Sequence, residues 1–195
     1  MKIQLDFESF PLLVAERMFW TAPEVEEHVP PEIQNHLKAA AYFLFKLSED
    51  LESFGIPLET SAEMHFRAAM VEFASIDDVL KKLNIDFSIT KSKNPLLHLM
   101  RLLRNYQVHF SSVSFRKEPF SFECQGNLYN SSALVIDNLN VDDLAQLRAV
   151  KHYKNYTHSE LNEMIRLFDS QQRVFGVVSL LRKGVDELSV EIGRL

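Results

Sequence analysis

Apolar positions along this chain recur mostly at intervals of three and four, the period of helices buried on one face, and that rhythm breaks in one place. The opening MKIQLDF alternates and predicts a short strand, and FPLLVAERMFW predicts a brief helix before the acidic PEVEEHVPP. From Pro31 the stretch EIQNHLKAAAYFLFKLSEDLES predicts a helix over 31–54, with proline at its entry and Gly55 and Pro57 at its exit. Thr60 and Glu63 form a capping-box signature ahead of a second long helix, whose stripe is Phe66, Met70, Phe73, Ile76 and Leu80 and whose end lies near Asn84. Asn94 followed by Pro95 starts a third helix with the stripe Leu96, Leu99, Leu103, Tyr106 and Phe110.

The break comes next. SSVSF, PFSFEC and ALVI alternate or run apolar in short pieces around Lys117-Glu118-Pro119 and Gly126-Asn127, so 111–137 reads as a β-hairpin insertion. A short helix near 141–150 follows, and Thr157 with Glu160 makes a second capping box, opening a long last helix that contains Gly176 and Gly184. The aromatic stripes in AYFLF and FRAAMVEF are assigned to the core. The fold class expected is mainly α, a helical bundle with a small β-hairpin, in a single domain over 1–195 because no Pro/Gly/Ser linker divides it.

Composition fits this picture. Of the residues 46% are hydrophobic and 25% charged, a globular balance, and five glycines with seven prolines leave room for long helices. The single cysteine, Cys124, excludes an intramolecular disulfide. The N-terminal stretch lacks the basic head and apolar run of a secretory signal, and charged residues interrupt every candidate span, so a cytoplasmic, non-membrane protein is expected. The net charge of -6 argues against indiscriminate nucleic-acid binding and turns attention to local charge.

That local charge is uneven. From Phe87 through Lys117 there is no acidic residue, while Lys91, Lys93, Arg101, Arg104, Arg116 and Lys117 are basic, a segment suited to a phosphate backbone. Within it RLLRNYQVHF places Arg104, Asn105 and His109 on one polar arc of the third helix. An imidazole exchanges protons near neutrality, a guanidinium clamps phosphate oxygens, and an asparagine amide hydrogen-bonds either. Together they suit phosphodiester cleavage in RNA, where the 2′-hydroxyl is an internal nucleophile and no metal or other cofactor is needed.

Arg104 through His109 reads R-N-Y-Q-V-H and resembles the motif of the HEPN superfamily (higher eukaryotes and prokaryotes nucleotide-binding domain), whose members carry R-[polar]-x-x-x-H late in a helix of an all-α bundle. The likeness in architecture covers about 31–190. It implies a metal-independent endoribonuclease, in many members a toxin or defence effector, that dimerises so that two motifs face one composite cleft. Carried onto this chain, Arg104 and His109 form the catalytic pair and Asn105 is auxiliary, with Arg101, Lys91, Lys93, Arg116 and Lys117 as RNA-binding candidates. The implied partners are a second copy, RNA, and a cognate antitoxin or regulatory protein. Ser111 stands where some toxin members have tyrosine, and the insertion exceeds a minimal bundle, which leaves a non-catalytic nucleotide- or protein-binding module as the alternative.

Other chemistry has little footing. His98, His109, His152 and His158 lack metal-ligand spacing and are expected as scattered surface residues, and no zinc site is expected. No nucleophile elbow or phosphate-cradling glycine loop occurs. KHYKNYTH at 151–158 is expected as a polar loop, and PEVEE as a solvated face.

Overall fold

The computed structural model describes residues 3–11, 22–48, 54–109, 113–124, 126–152 and 154–195. Helix α1 (Pro31–Phe45) buries Ile33, Leu37, Ala40, Ala41 and Leu44. It stops earlier than its periodicity suggests, tightening into a 3-10 turn over Lys46–Ser48. Tyr42 and Phe45 face solvent, so the AYFLF stripe is core on one side only. Helix α2 (Leu58–Lys82) carries the expected stripe, with Phe66, Met70, Phe73, Ile76 and Leu80 all buried. Its expected capping box is not used. Pro57, with φ -59° and ψ 149°, occupies the N-cap, no side chain caps the helix, and Thr60 and Glu63 lie inside it. The helix closes at Leu83, and Asn84 takes the left-handed φ of 56° that asparagine tolerates.

Helix α3 (Pro95–His109) starts where Asn94 and Pro95 place it, with Asn94 Oδ1 accepting from Leu96 N at 3.0 Å. Two ten-residue strands follow, β1 (Phe115–Cys124) and β2 (Asn127–Ile136), paired antiparallel from Phe115 with Ile136 to Cys124 with Asn127. Lys117-Glu118-Pro119 is therefore strand rather than turn, and Gly126, at φ 76°, serves the turn. The expected helix over 141–150 is two pieces, α4 (Val141–Gln146) and α5 (Arg148–Lys151), because Leu147 at ψ 139° breaks it. Helix α6 (His158–Gly193) opens on the expected box: Glu160 N donates to Thr157 Oγ1 at 3.2 Å, and Thr157 N donates to Glu160 Oε2 at 2.6 Å.

At the N-terminus the expected strand is absent among the described residues. Phe7–Ser9 forms one 3-10 turn capped by Asp6, whose N–H donates to the Lys93 carbonyl at 2.9 Å. The expected helix over 10–20 lies almost wholly outside the described residues. No described helix is long and apolar enough to cross a membrane. Buried side chains of α1, α2, α3, α6 and the hairpin base form one contiguous core.

Gly176 and Gly184 set how α6 meets the rest. At Gly184 an added Cβ would lie 2.2 Å from Met100 Sδ, so bare backbone lets α3 approach. Gly176 leaves the helical region altogether, at φ 80° and ψ 153°, and kinks α6 where β2 crosses it. A Cβ there would stand 3.3 Å from that of Ala133. Gly176→Ala is expected to destabilise the fold by about 1–3 kcal/mol through backbone strain and this contact, read as a lower denaturant midpoint at unchanged slope.

Candidate functional site

Helix α3 is buried nearly all round at its start, from Pro95 to Met100, and turns amphipathic only in its second half. There Arg101, Arg104 and Asn105 are half-buried and Val108 is exposed, at spacings of three and four, so they form the solvent-facing stripe. Tyr106 and Gln107 point inward and fasten this end of the helix. The Tyr106 hydroxyl donates to Asp143 Oδ2 at 3.3 Å on α4. Gln107 donates through Nε2 to Glu63 Oε1 at 3.4 Å on α2 and accepts from Val113 N at 2.8 Å through Oε1. Glu63 also receives Arg67 at 2.9 Å. The scaffold under the stripe is thus held on three sides.

On that stripe the structure brings two of the expected site residues together. Arg104 Nη1 donates to Asn105 Oδ1 at 3.1 Å. Its Nε–H is buried and meets no acceptor among the described residues. His109 is the last residue of α3, about 7.5 Å further along the axis; its side chain lies outside what the structure describes.

The remaining basic candidates are dispersed and mostly paired with acids from elsewhere in the chain. Arg101 Nε lies 3.3 Å from Asp77 Oδ2, and Asp77 Oδ1 also accepts from Ile89 N at 2.7 Å. Burial nevertheless pushes the Asp77 carboxyl above its ordinary range. Lys91 is bound to Asp86, and Arg116 meets Asp137 at 2.6 Å and Glu118 at 3.6 Å. Lys93 and Lys117 are exposed. Lys91 and Lys93 precede α3 while Arg116 and Lys117 follow it, so the 15-residue helix, about 22 Å long, stands between them. The segment without acids in sequence does not fold into one basic patch.

Two surface cavities lie on α6. One, of about 320 Å³, is lined by Asp137, Asn162, Arg166, Asp169, Gln172 and Arg173 among others, and one of about 490 Å³ by Phe7, Ser159, Glu160, Asn162, Glu163 and Arg166. Neither touches Arg104. Their arginines are engaged: Arg166 with Glu163 at 2.6 Å, Arg173 with Asp169 at 2.7 Å and Glu118 at 3.0 Å. Among the described residues no group of three or more His, Cys, Asp or Glu is arranged to hold a metal ion.

His98 overturns one expectation, for it is buried rather than a surface residue. Its Nε2 faces the Ser92 carbonyl at 2.8 Å, which can only accept, so Nε2 carries the proton and the Tyr156 hydroxyl donates to Nδ1 at 2.7 Å. Ser92 Oγ in turn donates to Glu191 Oε1 at 2.8 Å and accepts from Asn94 N at 2.9 Å. This network ties α3, the segment before α6 and the end of α6 together, and part of the expected polar loop is therefore core. Nothing in the local pattern around LLHLM distinguishes His98 from an exposed histidine, since its partners are 6 and 58 positions away.

Burial lowers the His98 pKa and raises that of Tyr156 to about 12. The folded chain thus holds His98 neutral at a pH where the unfolded chain protonates it. Its contribution to stability is full above the ordinary imidazole pKa of about 6.5 and is lost as pH falls below that value towards the depressed folded one. Denaturation midpoints are expected to fall as pH drops from about 7 to about 5, and His98→Gln is expected to flatten that slope while lowering stability throughout.

No family model, no curated protein and no solved structure matches the chain.

Proposed function

We propose that this protein is a metal-independent endoribonuclease of HEPN type, working in the cytoplasm as a homodimer on RNA, in the class whose members include toxins and defence effectors held in check by a cognate antitoxin or regulator. The observation that carries the reading is the state of Arg104. Arg101, Arg116, Arg166, Arg173 and Arg182 each pair with a carboxylate, whereas Arg104 meets none among the described residues and instead hydrogen-bonds Asn105 on the outer stripe of α3. A guanidinium left unneutralised beside an amide, with a buried N–H still to satisfy, suits a phosphate oxygen.

In this reading His109 takes the proton of a ribose 2′-hydroxyl as that oxygen attacks the adjacent phosphorus. The bond from phosphorus to the 5′-oxygen breaks, and that oxygen takes back a proton from the His109 imidazolium. A 2′,3′-cyclic phosphate and a 5′-hydroxyl result. Arg104 stabilises the charge gathering on the phosphoryl oxygens, and Asn105 holds the guanidinium in place through its side-chain oxygen. The test is incubation of the purified chain with RNA in EDTA. Cleavage leaving cyclic phosphate ends supports the enzyme; no cleavage by the folded chain overturns it and leaves the nucleotide- or protein-binding module.

A further inference from the structure

The outer edge of β2 carries an inference that goes beyond the proposed activity and does not rest on it. Hydrogen bonds at the hairpin base fix which way each residue's backbone faces. Asp137 N donates to the Ser114 carbonyl at 3.0 Å, so odd-numbered residues of β2 address β1. Ile136, on the alternate set, faces away, and its N–H and C=O are taken by the side-chain amide of Gln172, both at 2.9 Å. By the same alternation Leu128, Asn130, Ser132 and Leu134 present their backbone groups outward on β2, and on β1 Phe115, Lys117, Pro119, Ser121 and Glu123 do so.

The two edges are not equivalent. Pro119 sits among the outward residues of β1, where it removes a donor and blocks an added strand. On β2 there is neither proline nor charge from Gly126 through Ile136, so the usual protections of an open edge are missing. The base of that edge is closed by Gln172 and by Gly176, whose added Cβ would lie 3.7 Å from the Leu134 carbonyl. Among the described residues the span 128–132, with Asn130 at its centre, stays open, and the sheet has only two strands. Asn127 through Ser132 is exposed throughout, Leu128 by 71% and Tyr129 by 48%, and a two-stranded ribbon without support is marginal in water.

We infer that β2 pairs antiparallel with β2 of a second copy of this chain, Asn130 facing Asn130 and Leu128 facing Ser132, to give one four-stranded sheet across a twofold axis. The occupant follows from the edges. Identical edges that pair in this way use up the single unblocked side of both copies, so the assembly closes at two and does not propagate as a fibre. No charge meets a like charge in this register.

Light scattering on the eluting full chain over a dilution series, with Asn130→Pro and Asn130→Lys alongside, tests this. Because the Asn130 N–H faces away from β1, proline there removes no bond of the hairpin ladder; both variants give up only the exposed hydrogen bond from Ser121 Oγ to Asn130 Oδ1 at 2.7 Å, and a far-UV circular dichroism spectrum equal to wild type verifies folding. The expected result is a wild-type dimer that both variants weaken by at least about tenfold. In a Cys124→Ser background, Tyr129→Cys mixed with Ser131→Cys is expected to form a disulfide-linked heterodimer faster than either alone, since non-hydrogen-bonded partners lie about 4.5 Å apart at Cα. A wild type that stays monomeric, a dimer indifferent to both substitutions at position 130, or no preferential mixed crosslink would overturn the inference.

Discussion

Arg104→Ala is expected to lower the rate of RNA cleavage by about 10²–10³-fold, the usual cost of removing one preorganised donor from a developing oxyanion. His109→Ala is expected to cost about 10²–10⁴-fold, the range for a general acid or base. Stability should move little in Arg104→Ala, by under about 1 kcal/mol, because the side chain is half-buried and its loss strips no carboxylate of a partner. Arg104→Lys keeps the charge but not the planar fork and should recover only part of the rate. The contrast is Arg101, three residues earlier on the same stripe. Arg101→Ala leaves the partly buried Asp77 without its cation and is expected to cost about 1–2 kcal/mol of stability with little effect on cleavage. Rates measured beside denaturation midpoints for these variants separate a group that acts on substrate from one that holds helices together.

Gln172→Leu is expected to be the most damaging single change to the fold outside the apolar core. The Gln172 amide pairs with Ile136 as an adjoining strand would, donating to its carbonyl and accepting from its N–H, and it also donates to Asp169 Oδ1 at 3.1 Å. Leucine nearly preserves volume but leaves two buried backbone groups without partners, at about 1–3 kcal/mol each, so a loss of about 2–5 kcal/mol is expected. The damage should be local first: amide exchange across 133–136 is expected to accelerate more than that of α2 or α3. Gln172→Glu, which would set a carboxylate oxygen against the Ile136 carbonyl and the Asp169 carboxylate in a buried place, should recover none of the loss at neutral pH. A Gln172→Leu variant as stable as wild type would mean that β2 is held by its apolar contacts alone.

Much of this fold is legible locally. The buried stripe of α2, the Asn94-Pro95 start of α3 and the Thr157–Glu160 box of α6 all rest on residues within a few positions of one another, which is where pattern carries information. The misreadings have distant or competing causes. Thr60 and Glu63 match a box by spacing, but Pro57 fixes φ at -59° and starts the helix first, which leaves Glu63 to bind Arg67 and Gln107. Pro119 reads as a breaker until its strand proves to be an edge with that residue facing outward. Gly176 reads as one more residue of a long helix, and only its φ of 80° and the closeness of Ala133 give it a purpose.

The candidate site divides the same way. Helical spacing places Arg104, Asn105 and His109 on one arc; in the structure Arg104 Nη1 donates to Asn105 Oδ1, and the side chain of His109 lies outside what is described. The basic segment around them is a property of the sequence rather than of the surface, because Asp77, Asp86 and Asp137 fold back onto Arg101, Lys91 and Arg116. On the proposed function, what is left for phosphate is a small site around Arg104 and not a broad basic track. Weak dependence of RNA affinity on salt follows, with a slope that reflects only one or two displaced counterions.

The most direct measurement compares two oligonucleotides in EDTA, identical except that one carries 2′-deoxyribose at the nucleotide on the 5′ side of the cleaved bond. If His109 withdraws a proton from that hydroxyl while Arg104 holds the phosphate, the all-ribose strand is cut to a 2′,3′-cyclic phosphate and the substituted strand survives uncut at that position. Equal cleavage of both, or products that end in a 3′-hydroxyl, would contradict the mechanism and with it the assignment of Arg104 and His109.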